Sequence, residues 1–117
     1  METFRILIAD DHEAVRRSLG TLLEADGRWE VAYEAKDGYE AVAKARRFKP
    51  DLALLDLTMP VMNGLDAARE IRRALPNTHI VILTMHDTGQ LIEEAGRAGA
   101  VAVVSKADAH DELIPTI

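Results

Sequence analysis

Five short apolar segments recur along the chain, and segments with helical periodicity lie between them. Four of the five are nearly unbroken apolar runs, the pattern of strands that are buried on both faces of a parallel sheet. These runs occupy residues 5–9, 52–55, 80–83 and 101–104. The remaining segment, residues 29–35, alternates apolar residues with Glu30 and Glu34. This period of two predicts a strand at the edge of the sheet, with one face closer to water.

The intervening segments predict amphipathic helices, because their apolar residues recur at the spacing of one helix face. The apolar stripes consist of Val15, Leu19 and Leu22; Ala41, Ala45 and Phe48; Leu65, Ala68, Ile71 and Leu75; Leu91, Ala95 and Ala98; and Leu113, Ile114 and Ile117. Pro76 cannot continue the third helix, and Gly99 is expected to be the C-terminal cap of the fourth.

The strict alternation of strands and helices predicts an α/β fold with right-handed crossovers between parallel strands. Because the second strand has the pattern of an edge, the order 2-1-3-4-5 is favoured over other arrangements. We therefore predict a flavodoxin-like, doubly wound sheet of five parallel strands with helices on both faces.

Length and composition restrict the class of protein. The 117 residues suffice for one core, so we predict a single domain over residues 1–117. The formal net charge of −6 argues against direct binding to nucleic acid, and the absence of cysteine excludes disulfides and thiolate chemistry. No apolar run reaches the roughly 18 residues of a membrane span, and the N-terminus does not have the pattern of a signal peptide. We therefore expect a cytoplasmic protein without a membrane partner.

Polar side chains stand at the ends of four of the five predicted strands. In chain order they are Asp10 and Asp11, then Asp56, then Thr84, and finally Ser105 and Lys106. Any one of them could merely start a turn or cap a helix. Because the carboxyl ends of parallel strands open on one edge of the sheet, we expect the whole set to meet in one cleft.

The chemistry predicted for this cleft is phosphoryl transfer. Three clustered carboxylates repel one another unless one is protonated or a cation binds. Oxygen ligands suit Mg²⁺, and a carboxylate beside Mg²⁺ can attack phosphorus to form an aspartyl phosphate. The Lys106 ammonium group can pair with a phosphoryl oxygen, and the Thr84 hydroxyl can donate a hydrogen bond to one.

These residues in this order resemble the receiver domain of bacterial response regulators, and the resemblance covers essentially the whole chain. It rests on the motifs IADDH at 8–12, LLDLTMPVMNG at 54–64, LTMH at 83–86 and SK at 105–106. The segment EAGRAGA and the alanine after the lysine are most similar to the NarL/LuxR-type subgroup, whose members usually carry a C-terminal helix-turn-helix domain that binds DNA. The chain stops within its fifth predicted helix, and we expect it to be truncated before such a domain.

The resemblance implies a role for each polar residue. Asp56 would accept a phosphoryl group from a sensor histidine kinase, and a change of conformation would then control an output, for which transcription is the expectation. Thr84 and Lys106 would contact the phosphoryl group. The ligands of Mg²⁺ would be the carboxylates of Asp10, Asp11 and Asp56 and the backbone carbonyl of Thr58.

Partners and lifetime also follow from the resemblance. A second copy of the chain would dock on the face of the fourth helix, fifth strand and fifth helix, or on the first helix, and DNA would be bound only through the effector domain. Pro60 and Gly64 would shape the loop after the acceptor. Thr58 and His86 would tune attack by water on the phosphorylated state. The chain would catalyse only its own phosphorylation and slow dephosphorylation, so it is not expected to be an enzyme in the usual sense.

Val103 departs from the family pattern. Receivers commonly carry Tyr or Phe three residues before the lysine, where the ring rotates with the position of the threonine. Valine is β-branched and stiff at χ1, so it cannot move a ring between a buried and an exposed position. Three routes of output therefore stay open: the face beside the fifth strand, the first helix, or a displaced effector domain.

Three other interpretations compete with the phosphorylated switch. A phosphohydrolase of the haloacid-dehalogenase type would need a second Asp two residues after the nucleophile, where the chain has Thr58. A receiver fold that acts as an interaction module without phosphorylation is supported only by Val103. A transition-metal site could be built from His12 and His86, although two exposed loop histidines are the simpler account.

Overall fold

The structure is a computed structural model that describes residues 3–85, 88–109 and 113. Strands and helices alternate along the chain. They are β1 (Phe4–Ala9), α1 (Glu13–Ala25), β2 (Trp29–Ala35), α2 (Gly38–Phe48), β3 (Leu52–Asp56), α3 (Gly64–Ala74), β4 (His79–Thr84), α4 (Gly89–Arg97) and β5 (Ala102–Ser105), followed by a 3-10 turn at Lys106–Asp108.

The five strands form one parallel sheet in the order β2-β1-β3-β4-β5. The predicted fold class and strand order are therefore confirmed. β3 is buried at every position, whereas Glu30 and Glu34 of the edge strand β2 are exposed. The alternation of apolar and acidic residues in β2 thus identified the edge correctly.

Side chains of alternate strand residues fill two separate cores, one on each face of the sheet. In β1, Leu7 and Ala9 point into the core covered by α2, α3 and α4, and Ile6 and Ile8 point into the core covered by α1. Each fully buried Leu or Ile stabilises the fold by roughly 1.5–3 kcal/mol relative to an exposed one. Burial on both faces holds the central strands rigid, which matters for the side chains at their carboxyl ends.

Three helices begin at side chains that cap them. Asp37, Asn63 and Thr88 each accept a hydrogen bond from the backbone N–H three residues later, at the starts of α2, α3 and α4. Such caps satisfy backbone groups that have no partner within the helix.

The predicted helix ends are also found in the structure. α3 stops at Ala74, two residues before Pro76. Gly99 has a φ of 103° and its N–H donates to the Gly96 carbonyl, while the N–H of Ala100 donates to the Ala95 carbonyl at 2.9 Å. This pair of bonds is the Schellman motif that glycine favours at a helix end.

The fifth predicted helix is described only in part. Ala109 and Leu113 are buried in the core on the α1 side. Ile114 and Ile117 of the predicted stripe lie outside the described residues. Within the described part of the chain, the structure contains no helix that is both long and apolar enough to span a bilayer.

Candidate functional site

A cleft at the carboxyl edge of the sheet brings together most of the polar residues predicted at the strand ends. Asp10 joins them through its contact with Lys106, whereas Ser105 is buried and is not among the lining residues. The cleft has a volume of about 670 Å³. Its lining consists of Asp11, His12, Val15, Asp56, Thr58, Thr84, Met85 and Lys106. Asp56 and Thr84 are the last residues of β3 and β4, each one position beyond the apolar runs at 52–55 and 80–83. The sheet therefore holds both backbones in place up to the cleft.

Lys106 links two buried carboxylates in this cleft. Its Nζ lies 2.8 Å from Oδ2 of Asp10 and 3.1 Å from Oδ1 of Asp56. Asp10 and Asp56 are buried, and the Lys106 side chain is only 18% exposed. Lys106 is the first residue of the 3-10 turn after β5. Residues at the carboxyl ends of three strands therefore meet in one charge cluster.

The pKa values of this cluster reflect burial and pairing. Burial raises the pKa of the Asp56 carboxyl above its ordinary value of 3.8, and the hydrogen bond from Lys106 opposes only part of that rise. Burial alone would lower the pKa of the Lys106 ammonium group, but its hydrogen bonds to Asp10 and Asp56 outweigh this, so the pKa lies above 10.5. Lys106 is therefore protonated at neutral pH, and ionisation of the Asp56 carboxyl destabilises the folded state.

Asp11 and His12 complete the acidic side of the cleft. Nδ1 of His12 lies 3.2 Å from Oδ1 of Asp11 and 3.3 Å from Oδ1 of Asp10, and the His12 ring is largely exposed. The backbone N–H of His12 also donates to Oδ1 of Asp10 at 2.9 Å. His86, the second histidine of the transition-metal interpretation, lies outside the described residues, so that interpretation stays a prediction.

The residues present suit a divalent cation with oxygen ligands. The carboxylates of Asp10 and Asp11 offer oxygen atoms close enough together to share one ion. The Asp56 carboxylate is joined to Asp10 through Lys106. The backbone N–H of Thr58 is 3.4 Å from Oδ1 of Asp56, and Thr58 lines the same cleft. A hard ion such as Mg²⁺ prefers a donor set of this kind.

Gly64 allows the acceptor loop to pass close to the end of β3. A Cβ atom at Gly64 would lie 2.4 Å from the backbone oxygen of Asp56 and 3.0 Å from the Cα of Leu57. The Gly64 N–H donates to the Leu57 carbonyl at 2.9 Å. The start of α3 is thus packed directly against the backbone of the acceptor, in agreement with the predicted role of Gly64 in shaping this loop.

Val61 has an unusual backbone conformation in the same loop. Its φ is 69°, and the N–H of Met62 donates to the Pro60 carbonyl at 2.7 Å, which makes a γ-turn of the rare type with positive φ. Valine is branched at Cβ, so this conformation is strained. The Val61 side chain is 81% exposed, and little packing offsets the strain.

We expect Val61→Gly to raise the free energy of unfolding by roughly 0.5–1 kcal/mol. Relief of about 1–2 kcal/mol of positive-φ strain should exceed the roughly 0.4–1 kcal/mol that the added freedom of the unfolded chain costs. Val101→Gly is the matched control, since Val101 is also exposed but is not among the residues with positive φ. The control should lose stability through the added freedom of the unfolded chain. Urea denaturation of both variants measures the difference, and equal losses would contradict the strain.

The structure also assigns a contact to Arg16 that the sequence did not reveal. Its guanidinium group donates to the backbone carbonyl of Asp10 and, from Nε, to Oε1 of Glu34 at 2.9 Å. Helical phase is the signal that could have found it, because Arg16 precedes the buried residues Leu19 and Gly20 by three and four positions.

Val103 lies in β5 and is partly buried against the core covered by α2, α3 and α4. Two residues later, Ser105 ends the strand, and it pairs with Thr84 in β4. The position that usually holds an aromatic ring is thus filled by a small apolar side chain within the sheet.

Comparison with known proteins identifies the family. The sequence profile of the response regulator receiver domain matches residues 6–117. This chain is a receiver domain of the response-regulator family. The family resemblance inferred from its motifs is thereby confirmed, and as a receiver domain it is a regulatory component of two-component signalling rather than a classical enzyme.

Individual relatives agree with this assignment. The receiver domain is 41% identical over 116 residues to YxjL of Bacillus subtilis, an uncharacterized transcriptional regulatory protein. The match covers 99% of this chain and 53% of YxjL. It is 40% identical over 102 residues to the chemotaxis protein CheY of Thermotoga maritima, covering 87% of this chain and 84% of CheY. The crystal structure of a LuxR-family response regulator from Aurantimonas superposes with a TM-score of 0.92 at 36% identity, covering 97% of this chain and 81% of that one.

The receiver domain spans about half the length of the transcriptional regulatory protein that it matches. The output of a whole protein that contains it is therefore a matter for proposal.

Proposed function

We propose that this receiver domain accepts a phosphoryl group on the carboxylate of Asp56, with Mg²⁺ as the required cation and a sensor histidine kinase as the donor. The observation that carries the proposal is the position of Lys106, whose ammonium group bridges Asp10 and Asp56 at 2.8 and 3.1 Å. A fixed cation beside a buried carboxylate is what a phosphoryl group needs when it arrives with its charged oxygens.

The nucleophile in this reaction is a carboxylate oxygen of Asp56. It would attack the phosphorus of a phosphohistidine, the phosphorus–nitrogen bond would break, and the nitrogen would keep the electron pair and take up a proton. Asp56 pairs with Leu83 in β4 and is buried at the end of β3, so the sheet would hold its backbone in one orientation for the attack. Fixed orientation of this kind removes much of the entropic cost of a bimolecular reaction.

Lys106 and Thr84 would stabilise the transferred group. Lys106 would exchange its contact with Asp56 for a contact with a phosphoryl oxygen while it retains its contact with Asp10. Thr84 is buried at the end of β4 and lines the same cleft, and its hydroxyl would donate a hydrogen bond to a phosphoryl oxygen. Thr58 lines the cleft from the exposed loop, where it would influence the approach of water.

Mg²⁺, when bound, would neutralise the negative charge that develops on the phosphoryl oxygens. The ligands would be the carboxylates of Asp10, Asp11 and Asp56 and the backbone carbonyl of Thr58. Support comes from the convergence of these residues and from the excess of negative charge in the cleft, which one lysine does not balance.

The aspartyl phosphate would bias the domain between two conformations, because it adds charge and acceptor oxygens beside Thr84 and Lys106. Val103 lacks a ring, so the response of β5 would have to pass through backbone and aliphatic packing. The same observation favours the second candidate function, an interaction module that works without phosphorylation. Transcription would be controlled through a DNA-binding domain outside this segment, and self-association through α1 or through the face of α4, β5 and the fifth helix stays a prediction.

The proposal is tested by measuring the intact mass of the protein after incubation with acetyl phosphate and Mg²⁺. We expect wild type to gain one phosphoryl group, the gain to require Mg²⁺, and Asp56→Asn to gain none. Asp66→Asn removes an exposed carboxylate on α3 and should be labelled like wild type. An unlabelled wild type, or equal labelling of Asp56→Asn, would refute phosphoryl acceptance and leave the interaction module. Continuous turnover of p-nitrophenyl phosphate would instead indicate a hydrolase.

A further inference from the structure

Arg16 joins three elements behind the acidic side of the cleft. It lies in the first turns of α1, and its guanidinium group reaches both the backbone carbonyl of Asp10 and the carboxylate of Glu34 in β2. The Arg16 side chain is only 15% exposed, whereas that of its neighbour Arg17 is 77% exposed. An arginine that is this well buried makes specific contacts instead of merely adding surface charge.

The carbonyl that Arg16 contacts belongs to the peptide bond between Asp10 and Asp11. On the other side of Asp10, the backbone N–H donates to the carbonyl of Ala35 at 3.0 Å. Both backbone groups of Asp10 are therefore held, one by the edge strand and one by α1. The direction of the Asp11 side chain depends on this peptide, so a contact that holds the peptide would also set how the Asp11 carboxylate faces the cleft.

The contribution of Arg16 is one of geometry more than charge. Its guanidinium group forms an ion pair with the carboxylate of Glu34 at 2.9 Å. The negative charge of Glu34 offsets much of the positive charge that Arg16 would otherwise add near the cleft. The planar guanidinium group offers donors in fixed directions, and a single ammonium group does not reproduce such a two-sided bridge. Nε of Arg16 donates to Glu34 while a terminal nitrogen of the same guanidinium group donates to the Asp10 carbonyl.

We propose that Arg16 is a positioning residue that sets the affinity of the receiver for Mg²⁺ by holding the Asp10–Asp11 peptide. The proposal rests on the proposed function, since it takes the acidic side of the cleft to be the cation site. Loss of a residue that supports a metal ligand from behind weakens metal binding by about 10–100-fold. Arg16 acts through a backbone carbonyl, so we expect about tenfold, the lower end of that range.

The test is calorimetric titration of the protein with MgCl2, without any phosphoryl donor. Arg16→Gln should bind Mg²⁺ about tenfold more weakly than wild type. Arg17→Gln is the matched control, because Arg17 is the next residue on α1 and its side chain pairs only with the exposed Glu13 among the contacts of the described residues. The control should bind like wild type, and Arg16→Lys should not restore the affinity.

A kinetic measurement separates positioning from a general loss of structure. In labelling with acetyl phosphate, Arg16→Gln should raise the Mg²⁺ concentration for half-maximal rate by the same factor as the calorimetric change. The rate at saturating Mg²⁺ should stay within about twofold of wild type, as expected for a loss of binding alone. Equal Mg²⁺ affinity in Arg16→Gln and wild type would overturn the proposal, as would a loss of saturated rate without a change in affinity.

Three further results bear on the role of Arg16 and on phosphoryl acceptance. If Arg16→Gln does not fold, Glu34→Gln takes its place, since Glu34 is half exposed, and unchanged Mg²⁺ affinity in that variant would overturn the proposal. If wild type binds Mg²⁺ but is not labelled, phosphoryl acceptance fails while the role of Arg16 stands. If wild type is labelled and Arg16→Gln matches it at every Mg²⁺ concentration, the role of Arg16 alone fails.

Discussion

Lys106→Met is expected to lower the free energy of unfolding by about 2–4 kcal/mol at neutral pH, because it leaves two buried carboxylates without their shared cation. Lys106 lies within 3.1 Å of both Asp10 and Asp56. Methionine has a similar length and no charge, so packing is retained while the pairing is lost. Urea denaturation at several pH values measures the effect, and labelling by acetyl phosphate should fall strongly in the same variant.

The pH dependence of this loss has a definite sign. The pKa of Asp56 is raised by burial, so its ionisation costs stability, and the cost appears as pH rises through the pKa of the folded state. Removal of Lys106 takes away the hydrogen bond that lowers this pKa, and the cost at neutral pH grows. At about pH 4, near the ordinary pKa of a carboxyl group, the loss should therefore be smaller.

Lys36→Met is the control for Lys106→Met, because Lys36 is exposed between β2 and α2. It should change the free energy of unfolding by about 0.5 kcal/mol or less. A loss in Lys106→Met that is no larger than in this control, or that does not shrink towards acidic pH, would show that the lysine does not pair the two carboxylates.

Gly64→Ala is expected to cost about 2–3 kcal/mol of unfolding free energy, because its Cβ atom would stand 2.4 Å from the backbone oxygen of Asp56. The atoms in the way belong to the backbone of β3 and of the following loop, so they cannot rotate aside. The start of α3 must shift, and it carries the acceptor loop with it. We therefore also expect slower labelling of Asp56 by acetyl phosphate.

Gly89→Ala is the matched control, since Gly89 is the first residue of α4 just as Gly64 is the first residue of α3. Apart from Gly89 itself, its chain neighbours and the backbone of its own helix, no heavy atom of the described structure lies within 4 Å of a Cβ atom built at Gly89. The control should be neutral or slightly stabilising, because alanine reduces the freedom of the unfolded chain. Stability of Gly64→Ala equal to that of Gly89→Ala would contradict the close packing at Asp56.

Much of the fold could be predicted because burial leaves a direct trace in the sequence. A strand buried on both faces, such as residues 52–55, has to be apolar throughout, and an edge strand such as 29–35 shows alternation. The last residue of each strand is harder to predict from the sequence. Asp56 and Thr84 proved to be the last residues of their strands, because backbone pairing continues past the point at which the side chains become polar.

The composition of the cleft was also predictable, since the topology alone brings the carboxyl ends of parallel strands together. The pairing within the cleft was not. The sequence predicts that Lys106 contacts a phosphoryl group. It does not predict the contacts that Lys106 makes with Asp10 and Asp56. Which carboxylates a lysine contacts depends on small differences in side-chain position, and no sequence pattern encodes these.

Arg16 and Val61 illustrate what sequence patterns leave out. Arg16 and Arg17 are chemically identical neighbours, and only the phase of α1 directs one of them to the Asp10 carbonyl. Val61 adopts a positive φ that valine disfavours, so local preference predicts the opposite of what the loop requires. Both features arise from tertiary packing around the acceptor.

Phosphoryl acceptance by Asp56 is tested most sharply by locating the residue that carries the phosphoryl group. After labelling with acetyl phosphate and Mg²⁺, borohydride reduces an aspartyl phosphate to homoserine, and peptide mass spectrometry identifies the position. We expect homoserine at position 56 and at no other aspartate. Homoserine at position 10 or 11, or a wild-type protein without homoserine, would contradict it.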